Sequence, residues 1–422
     1  MTAYKKPLCL LIAAVAGLGI SELRAQNLSS PYSVYGIGDI DHKAYNRTSG
    51  MGSTGLAVKS NTYIINNNPA AIAGLERSFY VIDLGATGGF TTYKGDPVSS
   101  SSDNTSKDFI IKRLALAVKL NKFWASSVGF RQYSYVNYSF LGSKFVEGST
   151  SSYPTVYTGD GGLNDFYWTN AVSLGKHFNL GVKASYLTGS VDQSESFIEG
   201  SSNATIISKQ SDYYHHVHLE YGAQFFTNIA KKWDIAIGAK YVRKIKFSPD
   251  RSLTVTQNST TIYSEDFLKT DAFTLPDTYG IGLAVTKNNK ITFAADYTFE
   301  RWSALKPRIG GSNWLMQDAH RVSAGLEFSR QVVVWNQPVE KRFFQIGGFF
   351  DNSGLTVRGN SINNIGGTIG TGGSYRGLLY NVVLEGGTRG TKSNGLIKEN
   401  YVQLTFNLSY RDFLASKGRK YN

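Results

Sequence analysis

His216, His218 and Glu220 stand at alternate positions, so in an extended chain their side chains share one face at intervals of about 7 Å. These are metal-ligating residue types, but that spacing is wide for a single ion without a ligand from another strand. A polar stripe facing water is the better reading. Gly50-Met51-Gly52-Ser53-Thr54-Gly55 fits the G-x-G-x-x-G pattern of a dinucleotide loop, which requires a strand before it and a helix after it. Here the motif runs into Asn68-Pro69-Ala70 with no βαβ context, so close packing of bare backbone is the better use of Gly50, Gly52 and Gly55. No G-x-S-x-G elbow and no H-E-x-x-H occurs. The chain is therefore read as a non-enzyme without a cofactor. The only cysteine, Cys9, lies in the N-terminal apolar run, so no thiol, disulfide or Cys-ligated metal chemistry is expected of the mature chain.

The first residues explain where such a chain works. Lys5 and Lys6 form a basic start, Pro7 to Ile20 is apolar but too short to span a bilayer, and Leu23-Arg24-Ala25 ends on a small residue. This predicts an export signal cleaved after Ala25. The formal charge of +13 becomes +11 once Lys5, Lys6, Arg24 and Glu22 are removed. A basic balance can signal nucleic acid, but export argues against it and favours anionic lipid or peptidoglycan surfaces.

Beyond residue 25 no run of 18 apolar residues exists, so no helix is expected to cross a membrane. The chain nevertheless has 26 Tyr, 24 Phe and 44 Gly. Tyr and Phe favour pleated strands and membrane interfaces, and strict alternation recurs. Val402, Leu404, Phe406, Leu408 and Tyr410 alternate with Gln403, Thr405, Asn407 and Ser409. Leu180, Val182, Ala184 and Tyr186 do the same against Asn179, Gly181, Lys183 and Ser185, and Ile291 to Phe299 against Asp296 and Thr298. Charges on the inner phase suit a hydrated lumen better than a dry sandwich core. Short turns near 121, 176, 230 and 288 alternate with long polar segments, 94–108, 141–162, 192–210, 249–270 and 305–318. This is the arrangement of a Gram-negative outer-membrane barrel. The predicted fold class is all-β, a transmembrane antiparallel β-barrel of about fourteen strands, from 80–93 to 399–410. The segment 78–410 is the barrel, 26–77 a compact N-terminal hatch or plug, and 411–422 a periplasmic tail.

The plug segment carries a resemblance. Ser49-Gly50-Met51-Gly52-Ser53-Thr54-Gly55, followed by Tyr63-Ile64-Ile65-Asn66-Asn67-Asn68-Pro69-Ala70, resembles the hatch of the FadL/TodX outer-membrane transporters of hydrophobic compounds. Leu275-Pro276-Asp277-Thr278-Tyr279-Gly280, and then Asp296 with Trp302-Ser303, are similar to paired strands of that family. Gly159-Asp160-Gly161-Gly162-Leu163-Asn164 and Gly386-Gly387-Thr388-Arg389-Gly390 look like those of a divergent branch. The resemblance implies a fourteen-stranded barrel whose hatch, around Asn68, Pro69, Ala70, Gly50, Gly52 and Gly55, gates the passage of a hydrophobic or amphipathic small molecule. It also implies release sideways into the membrane, which spares an oily ligand the hydrated periplasm. A break in strand alternation is the local cause to look for. Trp124, Val128 and Phe130 share one phase while Tyr133 and Tyr135 take the other, so Gly129, Phe130, Arg131 and Gln132 are the candidate lateral opening. The expected contacts are outer-membrane lipid and the apolar ligand. The charged inner stripes keep a second role open, a non-transporting accessory barrel with protein partners in a secretion or assembly complex, as PorV-like proteins are.

Overall fold

The computed structural model describes residues 30–95, 104–145, 152–198, 204–230, 232–305, 309–311, 313–334, 337–375 and 378–414. The expected export signal and most of the C-terminal tail lie outside them. Fourteen antiparallel strands make the wall. They are β1 (Phe79–Gly95), β2 (Thr105–Lys119), β3 (Trp124–Gln132), β4 (Asn164–Leu174), β5 (Phe178–Ile198), β6 (Thr205–Ala230) and β7 (Trp233–Val242). They continue with β8 (Thr278–Lys287), β9 (Ile291–Glu300), β10 (Ala319–Val334), β11 (Gln337–Val357), β12 (Asn360–Tyr375), β13 (Leu378–Gly390) and β14 (Ile397–Phe413). β1 closes on β14 through a ladder from Phe79↔Phe413 to Gly95↔Ile397. A bilayer offers backbone no hydrogen bonds, so a sheet that crosses it must close on itself.

The burial pattern is inside out, which identifies the solvent. Val402, Leu404 and Phe406 are exposed, while Thr405, Asn407 and Ser409 on the other phase are buried. On β5, Leu180, Val182 and Tyr186 face out and Asn179, Lys183 and Ser185 face in. On β9, Phe293 and Tyr297 face out while Asp296 is buried. Alternation that exposes the apolar phase all round the wall makes sense only against lipid. No helix is long and apolar enough to cross a membrane among the described residues.

The segments expected to be long polar loops contain much more strand than foreseen. The upper part of β6 pairs with Asp250–Gln257, which forms a hairpin with Thr260–Leu268. Ser152–Gly161 pairs with Ser134–Phe145 on one side and with the upper part of β5 on the other. The hairpin of Asp250–Gln257 and Thr260–Leu268 is buried on neither face, so no apolar period marks it and its cross-strand partners select the extended form, whereas Ser134–Phe145 turns Val136 and Tyr138 inward.

The stretch from Trp124 to Tyr135, where the sequence changes phase, is divided. The β2–β3 ladder ends at Arg113↔Arg131, and β3 stops at Gln132. Tyr133 and Ser134 then both donate N–H to Leu163 O, at 2.8 and 3.1 Å, and the chain resumes as Ser134–Phe145. Opposite, Gly161 and Gly162 take φ of 109° and 131°, a region that L side chains rarely adopt. Around this break the outer half of the lumen holds an apolar cluster that includes Val136, Tyr138, Leu163, Leu187, Phe247 and Trp302.

The outward phase predicts a specific cost. Val182→Arg places a cation on the lipid face of β5 and is expected to lower stability by about 2–4 kcal/mol if the site lies near mid-membrane. A urea titration of the barrel folded in lipid vesicles measures this, and an unchanged midpoint would place Val182 away from the hydrocarbon.

Candidate functional site

The hatch is built from short turns because its sequence cannot sustain longer elements. Pro31–Val34, Arg47–Met51 and Pro69–Gly74 are single 3-10 turns, and Asp39–Ile40 is a two-residue strand. Asn46 caps the second turn, accepting from Thr48 N–H at 2.8 Å, while Ser49 Oγ accepts from Asn46 N–H. Asn68 caps the third, with Pro69 at its first position, where no N–H is needed.

The wall accepts this segment by omitting side chains. A Cβ on Gly181 would collide with the Pro69–Ala70 backbone, and one on Gly222 with the Asn68 side chain and the Pro69 ring. Gly238 and Gly282 face Leu56–Ala57, and Gly325 and Gly347 face Met51. These glycines are register partners across the ladders: Gly181↔Gly222, Gly238↔Gly282 and Gly325↔Gly347. They form a belt that lets hatch backbone touch wall backbone. Of the hatch glycines, Gly50 abuts Gln345 and Gly370, Gly52 lies against Gly348 with φ of 68°, and Gly55 packs on Asn67.

Polar pins complete the seat. The fully buried Asn68 donates from Nδ2 to Leu56 O at 2.9 Å and to the wall carbonyls of Ala223 and Ala239 at 3.1 and 3.2 Å. Its Oδ1 accepts from Ala70 N–H at 3.0 Å. Pro69 and Ala70 thus sit against β5 and β6. Asp296 Oδ2 accepts from Gly55 and Leu56 N–H at 2.6 and 2.9 Å. Thr368 Oγ1 donates to Gly50 O and accepts from Gly52 N–H, each at 2.9 Å. Arg47 bonds Glu327 and Glu340 and lies against the rings of Tyr63 and Phe343. Burial pulls its guanidinium pKa down, but the two carboxylates outweigh that and raise it well above the ordinary value.

Toward the outside, Asp39 pairs with Arg389, and Asp39–Ile40 pairs with Ser134–Tyr135 just past the break. Asp41 N–H bonds Tyr133 O at 2.8 Å. Burial pushes the Asp41 carboxyl up, but Lys112 and Lys43, with hydrogen bonds from Tyr45 and the Lys43 N–H, hold it below the usual aspartate value. Residues Ile40 to Lys43 separate two chambers of about 130 Å³ each. The outer is lined by Tyr35, Lys112 and Arg389 among others, the inner by Arg131, Lys183, Glu220 and Asp296. Both fall below the ~300–1,000 Å³ of ordinary small-molecule pockets.

Gly129, Phe130, Arg131 and Gln132 are the last regular residues of β3; all four pair with β4, and Gly129, Phe130 and Arg131 also pair with β2, so of the four only Gln132 lies past the end of the β2 ladder. The irregularity falls one residue later, at Tyr133. Arg131 turns inward against Asp165 at 3.4 Å. Of the histidine stripe, His218 and Glu220 are buried inside, while His216 lies higher, against Phe247. No cluster suited to a metal ion occurs among the described residues. The roles of Arg47, Asp39, Asp41, Lys112 and Arg389 were not visible in sequence. The wall glycines did leave a signal, since Gly181 and Gly222 fall on the inward phase of alternating strands.

Two outcomes follow for the seat. Asn68→Ala withdraws a buried donor from three carbonyls and is expected to cost about 1–3 kcal/mol, with faster proteolysis of the hatch. An unchanged urea midpoint would show that Asn68 is dispensable. The lowered pKa of Asp41 means that its contribution is complete above the ordinary aspartate value of about 3.9 and is lost as pH falls through the folded value. Asp41→Asn should therefore flatten the acid limb of hatch protease resistance.

A FadL homologue of Pseudomonas aeruginosa is 11% identical, covers 90% of this chain and 100% of its own, and superposes with a TM-score of 0.59. The toluene transporter TodX of Pseudomonas putida is 12% identical, with 89% and 99% covered and a TM-score of 0.52. At such identity these likenesses establish the fold alone, a closed fourteen-stranded antiparallel barrel with an N-terminal segment. No curated protein matches the sequence. The sequence model described as BamG spans residues 5–422, almost the whole chain, and the chain therefore belongs to the BamG family.

Proposed function

We propose that the chain is an outer-membrane channel for hydrophobic or amphipathic small molecules, one of a divergent branch of FadL-like barrels. In this reading the hatch around Asn68, Pro69 and Ala70, seated through Gly50, Gly52 and Gly55, holds the axial route shut. The ligand leaves sideways past Gly129–Gln132. The observation that carries the reading is the end of the β2–β3 ladder at Arg113↔Arg131, immediately beside the apolar cluster of Val136, Tyr138 and Leu163. An oily solute entering from outside meets apolar side chains first. It then meets a place where the wall lacks a continuous ladder and lipid lies beyond. In this reading the protein is a carrier of matter rather than an enzyme.

The charged chambers favour a second reading. They are small, their walls carry Lys, Arg, Asp and Glu, and the hatch is pinned at many points. A lumen of that kind suits an accessory barrel that works through protein partners in an outer-membrane complex.

One experiment separates the two. Ile40 and Ser134 are cross-strand partners between hatch and wall, close enough for a disulfide in a mature chain expected to have no native cysteine. With I40C/S134C in proteoliposomes, oxidation should stop entry of a fluorescent hydrophobic probe and dithiothreitol should restore it. No probe entry above empty vesicles, in either redox state, would sink the channel and favour the accessory barrel.

A further inference from the structure

The short-turn rim of the barrel is basic in a regular way. Lys122 precedes the exposed Phe123, Lys176 lies near Phe178, and Lys232 adjoins Trp233, whose ring also carries the Lys287 ammonium at 4.9 Å. The cations are spread along successive turns and interleaved with outward aromatics. A ring of that form matches a lipid annulus, whereas a docked protein needs a concentrated sector or the lumen mouth.

One point of the ring is more specific. Arg330 on β10 and Arg342 on β11 are direct register partners, and both are exposed. Two like charges opposite one another on a ladder repel. Neither has a carboxylate partner among the described residues. The next pair inward on the same face is Phe328↔Phe344, with both rings exposed on the lipid side of the wall. Beside them, Lys290 and Lys341 are also exposed, and Lys290 O is joined to Ser329 N–H at 2.7 Å. On the far side Arg342 faces Gly373, which has no side chain to crowd it.

We infer that Arg330 and Arg342 seat the phosphate of an anionic phospholipid in the periplasmic leaflet, with Phe328 and Phe344 against its acyl chain. Guanidinium groups match phosphate oxygens as paired donors, and an anion between them converts the mutual repulsion into a shared attraction. Four cations without a carboxylate discriminate by headgroup. The ammonium of phosphatidylethanolamine is repelled there, whereas phosphatidylglycerol adds only negative charge.

The test is lipid retention in nanodiscs containing equal parts of phosphatidylglycerol and phosphatidylethanolamine. Bound lipid is released and counted by native mass spectrometry. The wild-type protein is expected to retain phosphatidylglycerol several-fold over phosphatidylethanolamine, and R330Q/R342Q to bring the two toward parity. Heat-modifiable migration checks that the variant barrel is folded, and R330K/R342K should keep part of the preference. Equal retention by the wild type, or an unaltered preference in a folded R330Q/R342Q, would overturn the inference. So would loss of the bound lipid to millimolar inorganic phosphate, which would mark a site for the free anion.

Discussion

Backbone has to meet backbone inside this barrel. A fourteen-stranded wall encloses more space than its own side chains fill, and the hatch occupies it only by coming within van der Waals distance of the strands. The belt of Gly181, Gly222, Gly238, Gly282, Gly325 and Gly347 makes that approach feasible. Because they pair across ladders, the belt lies at a common level, and the hatch crosses it at Met51, Leu56 and Asn68–Ala70. The position of each other pin depends on that approach. Asp296 can reach two hatch N–H groups only because Gly282 opposite it leaves the space free.

The contact has an electrostatic consequence. A hatch of short turns exposes backbone donors and acceptors that regular structure would have satisfied, and the wall must supply their partners. Inward positions are therefore polar where a soluble sandwich would be apolar. Thr368, Asp296, Gln345 and Asn381 bond the hatch backbone, and the Arg47–Glu327–Glu340 group ties its side chains. Arg47, Glu327 and Glu340 are tolerated inside because they are paired, and Asp296 because two backbone N–H groups bond its carboxyl. Little room is left, and the space that remains forms two small chambers, both bordered by Ile40–Lys43.

The two halves of the lumen are filled differently. Below the break the hatch turns occupy the interior, held by the polar pins and by an apolar cluster in which Ile64, Ile72 and Leu75 meet Ala115, Ala117 and Ala171 of the wall. Above it, strands longer than a membrane crossing needs fold inward and bury Phe247, Trp302 and Leu163 with Ile37 of the hatch. The interruption at Tyr133 lies between these halves. The wall strand there takes the hatch residues Asp39–Ile40 as a local partner and leaves the course set by β2.

The sequence by itself determined the closed barrel. Alternation of Val402 to Tyr410 against Gln403 to Ser409, repeated along the chain, has one physical solution when the polar phase carries charge, because hydrocarbon and water must then lie on opposite faces. It also set the N-terminal segment apart from the wall, since Gly- and Asn-rich turns admit no helix or strand of useful length. Only the tertiary structure decided which partners those residues meet. Asp39 and Arg389 lie 350 positions apart, and nothing local ties one to the other. The break was legible as a change of phase near Gln132, but its place at Tyr133 follows from Leu163 O, Gly161 and Gly162 on a neighbouring strand. The outer hairpin of Asp250–Gln257 and Thr260–Leu268 was hidden for a related reason. It is wet on both faces, and without an apolar side a strand leaves no period in its sequence.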